Sequence, residues 1–195
     1  MFRKSETYKE AKAFIDAHLK AGFVTYEQLN ELAFEKYGLN ELLTKREERS
    51  LEHYLYQAYH NHLDEQNKWG ATPYDTLETV FAELRTKHKI FANVNYGTSQ
   101  KDAAKLLDRK VIKDEYDGYV FFHSQDTYFL GTEEAVYLSY GSFTPGISHR
   151  KAGEQIKELL EEYGYEVEWN GKLDTRMKLL IPGWVKKIPE NDFSV

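Results

Sequence analysis

The spacing of the apolar residues changes at residues 67–73, and this change divides the chain into a helical part and a mixed part. Before it, apolar side chains recur every three or four residues, as they do along one face of a helix. After it, helical patterns are interrupted by short segments in which apolar and polar residues alternate, as in strands. The boundary itself, NKWGATP, is rich in turn formers. We therefore predict a helical region at 1–70, an α+β domain at 71–188 and a loose tail at 189–195.

The helical region carries the start and stop signals of three helices between residues 5 and 66. The first helix is predicted from Glu6 to Ala21, and Gly22 follows as the residue that ends it. The second and third helices each begin with a threonine that is followed three residues later by Gln or Glu, which is the pattern of a capping box. These pairs are Thr25 with Gln28 and Thr44 with Glu47. The pattern predicts an N-terminal three-helix arm.

Five segments of the second region have the β-branched and aromatic composition of strands, namely residues 90–96, 118–124, 135–141, 165–169 and 176–181. Helical patterns lie before the first strand, between the first and second, and between the third and fourth. This order is that of a split βαβ, or ferredoxin-like, sheet with an additional C-terminal strand. We expect an α+β fold whose helices pack on one face of the sheet.

The connection between the last two strands decides on which face Arg176 lies. A two-residue turn would put Arg176 on the apolar face with Val167, whereas a five-residue loop at 170–174 puts it on the open face. We prefer the longer loop, because it aligns the apolar residues of both strands. It also predicts that Glu166 and Glu168 lie beside Arg176 and Lys178 on the open face.

Composition excludes several classes of chemistry. The chain has no cysteine, so disulfides, thiolate zinc sites, iron–sulfur clusters and cysteine nucleophiles are ruled out. Its formal net charge of −6 argues against general nucleic-acid binding, which needs a basic surface. The N-terminus lacks the apolar segment of a secretory signal, and no apolar run reaches the roughly 18 residues of a membrane span. Because no nucleotide- or metal-binding motif occurs either, we expect a cytoplasmic protein without a cofactor.

The end of the second predicted strand, FFHSQDT at 121–127, is the best candidate for functional side chains. Alternation places His123 at the strand end, and Gln125, Asp126 and Thr127 follow just beyond it. A carboxylate that holds a histidine is part of a general-base arrangement, although the sequence marks no nucleophile as the third member. In the alternative interpretation, His123 and Asp126 only fasten the strand end through local hydrogen bonds.

A second candidate lies at the start of the last predicted helix. Ser148 has the position of an N-cap, and the basic residues His149, Arg150 and Lys151 follow it. Positive charge at this place opposes the helix dipole, at a cost of about 0.3–1 kcal/mol per group. The segment therefore either binds an anion through N–H groups and side chains, or is a solvated basic turn that nearby carboxylates neutralise.

A weak metal-site candidate lies on the third predicted helix. His53, His60 and Asp64 share one face of this helix through spacings of seven and four residues. Such spacing can bring two or three metal ligands together. The polar faces of surface helices commonly have the same pattern, and this is the competing interpretation.

Several strings of the second region together carry a family resemblance. They are TPYDTLETVFAELRTKHKIFANVNYGTS, GYVFFHSQDT (118–127), VYLSYG (136–141) and YEVEWNGKLDTRMKL (165–179). Through these strings, residues 72–184 resemble an uncharacterised bacterial domain-of-unknown-function family. The resemblance implies a bacterial or phage-borne cytoplasmic protein, and it brings no activity, substrate, cofactor or catalytic residue.

The sequence favours a non-catalytic interaction or regulatory protein that binds another protein. No complete catalytic set occurs, whereas the helical arm and the tyrosine-rich sheet offer contact surface. Two alternatives remain open. One is an enzyme or small-ligand binder centred on His123, Gln125 and Asp126, and the other is a nucleic-acid binder that uses the helical arm and the basic turn at 149–151.

Overall fold

The computed structural model describes residues 5–36, 42–143, 149–172 and 174–188. These residues form two compact units. The helical unit draws on Met1–Thr72 and Val185–Val195, and the sheet unit is the continuous segment Pro73–Trp184. The sequence pattern placed the residues after Trp184 in the second region, but the structure groups them with the first. Ser148 and the predicted tail at 189–195 lie outside the described residues.

The helical unit contains the three helices that the sequence predicts. Helix α1 spans Glu6–Ala21, α2 spans Tyr26–Asn30 and continues as a π-helix over Glu31–Lys36, and α3 spans Lys45–Gln66. Both capping boxes are present, because Thr25 and Thr44 each accept a backbone N–H bond three residues on, at 3.3 Å. The buried core of this unit includes Tyr8, Ile15, Leu29, Leu51, Leu55, Tyr59 and Ile188. None of the helices in the described residues is long and apolar enough to cross a membrane.

Helices α1 and α3 run parallel. Near their beginnings the backbone N–H of Ser5 donates to Glu47 Oε1 at 2.9 Å, and further along the Tyr54 hydroxyl donates to Asp16 Oδ1 at 2.5 Å. The contacts between the two helices therefore advance along both of them in the same direction. It follows that the carboxyl ends of the two helices lie side by side.

Glu47 ties the beginnings of these two helices together. Its Oε1 accepts the Ser5 N–H, while Oε2 accepts the N–H and the hydroxyl of Thr44 at 3.2 and 2.8 Å. Hydrogen bonds from Ser5 and then Thr44 lower the pKa of Glu47 to about 2. These donors stabilise the carboxylate, so the tie requires the ionised form.

The last described residues close the helical unit. The side-chain amide of Gln66 donates to the Ile188 carbonyl at 3.3 Å and accepts the Ile188 N–H at 2.8 Å. Two positions further back, Lys186 Nζ donates to the carbonyl of Gly22 at 2.8 Å. Gly22 has φ of 77°, and a Cβ there would lie 2.3 Å from the Lys186 carbonyl oxygen. Only glycine fits this backbone position, because residues 185–188, which we call the returning chain, pass too close to it for a side chain.

The sheet unit is built on five strands, as the sequence predicts. They are β1 Ile90–Asn93, β2 Gly118–Phe121, β3 Ala135–Ser142, β4 Glu166–Glu168 and β5 Met177–Leu180, in the spatial order β1-β2-β3-β5-β4. Strands β1 and β2 are parallel, and the other neighbours are antiparallel. The α+β class is thus confirmed. The ferredoxin-like order is not found, because β1 and β2 are direct neighbours, whereas a split βαβ places another strand between them.

Helices cover both faces of this sheet, which corrects the expectation of one covered face. The helices are α4 Pro73–Lys87, α5 Gln100–Leu107, α6 Lys110–Glu115, α7 Thr127–Glu133 and α8 His149–Glu162. Phe121 packs against α5, whereas Tyr140, which belongs to the opposite face, comes close to Gly153 of α8. The consecutive residues Val120, Phe121 and Phe122 are all fully buried. A strand that is apolar on both sides needs cover on both sides.

The hairpin of β4 and β5 keeps the predicted faces but not the predicted loop length. A five-residue loop pairs Glu168 with Arg176, whereas the structure pairs Glu168 with Lys178. The connection is therefore longer by two residues, a shift that leaves every side chain on its predicted face. Val167 accordingly lies opposite Leu179. Residue 173 of this connection lies outside the described residues.

Candidate functional site

Polar residues gather where the parallel strands β1 and β2 end. The segment after β1 lies beside the segment after β2, because Tyr96 N–H donates to the Phe122 carbonyl at 2.8 Å and Ser124 N–H donates to the Gly97 carbonyl at 3.0 Å. These two bonds flank His123 on either side. In sheets with parallel strands, ligands commonly bind at this carboxyl edge.

The structure brings His123 and Asp126 into contact, as the sequence suggested. A 3-10 turn over Ser124–Asp126 follows the strand, and within it the His123 N–H donates to Asp126 Oδ2 at 3.1 Å. The imidazole Nδ1 lies 3.2 Å from the same oxygen, and the two side chains are only 8% and 4% exposed. Burial lowers the pKa of His123, the charge of Asp126 opposes this effect, and the charge of Arg176 adds to it. The imidazole is therefore neutral at neutral pH.

The main partner of Asp126 is Arg176, which the sequence placed elsewhere. Arg176 NH1 and NH2 donate to Asp126 Oδ1 and Oδ2 at 2.8 and 2.5 Å, and NH2 also donates to the Tyr137 carbonyl. The expected position of Arg176 beside Glu166 and Glu168 is wrong, because the longer connection moves Arg176 past the end of β4. Lys178 does lie beside Glu168, as predicted. A buried carboxylate is also the stronger attraction for a guanidinium, since the pairing is bidentate and shielded from water.

The other two candidate residues at this strand end, Gln125 and Thr127, do not contact His123 through a hydrogen bond in the described residues. Gln125 is exposed, whereas Thr127 is buried and its hydroxyl donates to the Ser124 carbonyl at 2.7 Å. The serines nearby are also engaged: Ser124 Oγ donates to the Thr98 carbonyl at 3.2 Å, and Ser139 Oγ donates to Gln100 Oε1 at 2.7 Å. Neither hydroxyl is poised as a nucleophile for His123.

Unpartnered polar atoms nevertheless concentrate at this edge. Five buried side-chain polar atoms in the described residues lack a hydrogen-bond partner, and three of them belong to Asn95, His123 and Arg176. They are Oδ1, Nδ1 and Nε of these residues, although Nδ1 of His123 still lies 3.2 Å from Asp126 Oδ2, outside good hydrogen-bond geometry. Sequence reasoning missed Asn95 and Arg176. The signal for Asn95 was present, since it follows the end of β1 as His123 follows the end of β2.

The basic turn at the start of α8 has partners within the chain. His149 Nδ1 accepts the Ser142 N–H at 3.0 Å, and Arg150 Nε donates to Glu154 Oε1 at 2.9 Å. Lys151 also interacts within the chain. This geometry matches the interpretation of a neutralised turn better than that of an anion site. The proposed N-cap, Ser148, lies outside the described residues.

The metal-site candidate on α3 is not supported. Across residues 5–36, 42–143, 149–172 and 174–188, no three His, Asp or Glu side chains are close enough to hold a metal ion. His60 instead packs on Tyr56, with ring centroids 4.2 Å apart. The shared helix face of His53, His60 and Asp64 is therefore a surface pattern.

The helical unit contains an open groove of about 410 Å³ that the sequence did not predict. Its apolar lining consists of Leu19, Ala58, Trp69 and Val185, and its polar lining consists of Asp16, Lys20, Asn61, His62 and Glu65. The lining combines α1, α3 and the returning chain, and no local sequence signal links these three segments. We refer to this site as the α1/α3 groove.

His62 and Trp69 form one wall of the α1/α3 groove. Their rings meet edge to face, with centroids 5.2 Å apart and planes at 84°. Burial lowers the pKa of His62, so the ring is neutral, and its Nε2 is enclosed without a hydrogen-bond partner. A buried polar atom without a partner costs about 1–3 kcal/mol.

A comparison with known protein families identifies the chain at the level of a family. The family model described as "Domain of unknown function (DUF6891)" matches residues 4–188, so the likeness includes the helical unit as well as the strings at 72–184. No curated protein and no solved structure gives a match. Because the match spans nearly the whole chain, this protein belongs to the DUF6891 family of domains of unknown function.

Proposed function

We propose that this chain is a non-catalytic, cytoplasmic binding protein whose helical unit holds part of a partner protein in the α1/α3 groove. The observation that carries the proposal is the groove itself. It combines an apolar lining of Leu19, Ala58, Trp69 and Val185 with a small number of polar side chains. A concave surface with apolar walls and a few polar groups is the usual form of a binding site.

The strand end of the sheet unit supports catalysis less well. Asp126 has its carboxylate occupied by Arg176 and by the His123 N–H, and His123 is only 6% exposed. A general base must reach the proton that it removes, and this imidazole is enclosed. The geometry therefore favours the interpretation in which the pair fastens the strand end.

Filling the groove tests the proposal. Asn61 is an exposed lining residue, so Asn61→Trp blocks the groove without disturbing the core. Proteins of the native host that bind the wild-type chain are purified, and their affinities for the wild type and for each variant are measured by calorimetry. We expect Asn61→Trp to weaken binding at least tenfold. Gln125→Trp, at an exposed residue of the sheet unit, is the matched control and should bind normally.

A second candidate function is small-ligand binding at the carboxyl edge of β1 and β2. The three unpartnered atoms of Asn95, His123 and Arg176 favour it. If this function is the correct one, a metabolite library will contain a compound that raises the melting temperature of the wild type. His123→Gln will then lose that response, whereas Asn61→Trp will keep it. The two candidates thus give opposite results with the same pair of variants.

A further inference from the structure

The connection between β4 and β5 contains the dipeptide Asn170–Gly171, and no other asparagine of the sequence is followed by glycine. Asparagine is one of the chemically labile residues of proteins. The side chain of Asn170 is exposed, so water reaches it. Gly171 has φ of 73° and no Cβ, so no side chain of its own hinders its backbone nitrogen from approaching the neighbouring amide.

The turn supplies two donors to the side-chain oxygen of Asn170. The Lys172 N–H donates to Oδ1 at 2.9 Å, which closes an Asx turn. The Thr175 hydroxyl, which also lies 2.9 Å from the Lys172 carbonyl, donates to the same Oδ1 at 2.7 Å. Negative charge develops on this oxygen when a nucleophile attacks the amide carbon. Donors that are already in place stabilise such a charge without reorganisation, as in an oxyanion hole.

A positive charge lies beside the same dipeptide. The terminal nitrogen NH2 of Arg150 would be 3.9 Å from a Cβ at Gly171, whereas its Nε pairs with Glu154 at 2.9 Å. A cation next to the attacking nitrogen favours the loss of its proton and stabilises the negative intermediate. Because the Arg150 side chain is 65% exposed, this contribution is smaller than that of the two donors.

From these features we propose that Asn170 is a site of spontaneous deamidation, which the turn promotes. The Gly171 nitrogen bonds to Cγ of Asn170, its proton passes through water to the side-chain nitrogen, and that nitrogen leaves as ammonia. The product of this step is a cyclic succinimide. Water then opens the ring at either of its carbonyl carbons, so that the asparagine and a water molecule are converted to ammonia and either aspartate or isoaspartate.

The two products differ in what they do to the connection. Both add a negative charge near Arg150. Aspartate keeps the oxygen that accepts the bonds from Lys172 and Thr175. Isoaspartate adds a methylene group to the main chain, which displaces Lys172, whose carbonyl accepts the Tyr140 hydroxyl at 3.0 Å. Deamidation therefore changes the charge of this surface and, in the isoaspartate form, loosens its tie to β3.

The test incubates the complete chain in mildly alkaline buffer and locates deamidation by peptide mapping with mass spectrometry. We expect Asn170 to react several times faster than Asn61, which is also exposed but precedes a histidine. Thr175→Val should slow the reaction at Asn170 by roughly threefold or more, because one donor to Oδ1 is lost. Thr175→Ser keeps the hydroxyl and should react at the wild-type rate.

A synthetic peptide of residues 165–176 separates the effect of the turn from that of the dipeptide. In the peptide Thr175→Val should leave the rate unchanged, because the fold no longer holds the hydroxyl at Oδ1. Thr86→Val in the complete chain is the matched control, since the hydroxyl of this exposed threonine donates to the Ala82 carbonyl within α4. It should leave the rate at Asn170 unchanged.

Two results would overturn the proposal. The first is an Asn170 that reacts no faster than Asn61 in the complete chain. The second is a rate at Asn170 that Thr175→Val leaves unchanged or raises in the complete chain, because the turn would then not promote the reaction. The outcome does not depend on the α1/α3 groove, so this proposal and the proposed function can fail independently.

Discussion

Arg176 holds Asp126 with two parallel hydrogen bonds, although fifty residues separate them in the chain. The side chain of Asp126 is 4% exposed and that of Arg176 is 31% exposed. Through this pair, the segment before β5 is fastened to the turn that follows β2. The contact gives the buried carboxylate the partner that a buried charge needs.

Breaking this pair should destabilise the sheet unit. Asp126→Ala leaves the guanidinium and the His123 N–H without their acceptor, and we expect the free energy of unfolding to fall by about 1–3 kcal/mol. Arg176→Met should cost at least as much, because it leaves the more deeply buried charge unpaired. Urea denaturation gives both values.

The double variant Asp126→Ala/Arg176→Met measures how strongly the two residues are coupled. Its cost should be smaller than the sum of the two single costs, since neither charge is left alone. Asp114→Asn is the control, because Asp114 forms an exposed pair with Lys110 and should change stability by less than about 0.5 kcal/mol. Additive costs for Asp126 and Arg176 would contradict the coupling.

Stability should fall as the pH drops below about 6.5, in part because of His123. Burial lowers the pKa of this residue in the folded protein, so only the unfolded chain takes up its proton in this range. His123→Gln should therefore flatten the decline, by at most about 1.4 kcal/mol per pH unit. His18 and His62, whose pKa values burial also lowers, account for further slope.

Glu47 should remain ionised to unusually low pH. Bonds from Ser5 and Thr44 lower its pKa to about 2, and ¹³C NMR of the side-chain carboxyl reports this value directly. The stabilisation is complete above the ordinary pKa of glutamate and is lost as the pH falls toward 2. Thr44→Ala should raise the pKa and lower the melting temperature of the helical unit. Titration of Glu47 near pH 4 in the wild type would show that the tie does not form in solution.

The two units should differ in how they tolerate separation. The fragment 73–184 is continuous, and its ends meet: the Tyr165 hydroxyl donates to the Pro73 carbonyl at 3.2 Å, and the rings of Tyr74 and Trp184 are 6.1 Å apart. We expect this fragment to fold alone. The fragment 1–72 lacks both bonds between Gln66 and Ile188 and should unfold at a lower temperature than the same unit in the intact chain. Circular dichroism melts of both fragments decide the matter.

The sequence predicted what depends on neighbouring residues. The caps at Thr25 and Thr44, the ending of α1 at Gly22 and the positions of the five strands all follow from local patterns. One local signal was misread. The unbroken apolar run of Val120, Phe121 and Phe122 indicates a strand buried on both faces, and it should have argued against a sheet with one open face.

The contacts of distant residues could not be predicted in the same way. The adjacency of β1 and β2, the pairing of Asp126 with Arg176 and the α1/α3 groove each join segments that no short pattern connects. The candidate pair His123 and Asp126 was found because both residues lie in one turn. Their third partner was missed because a two-residue change in the β4–β5 connection moves Arg176 away from its predicted neighbours.

The closing contact of the helical unit also sets an order of events during synthesis. Gln66 leaves the ribosome more than a hundred residues before Ile188, a delay of roughly ten seconds at ordinary translation rates. During that time the whole sheet unit has emerged, with both of its ends available to each other. The helices that are made first therefore gain their closing contact only when residues 185–188 arrive, and the sheet unit, which is translated second, is the first that can be complete.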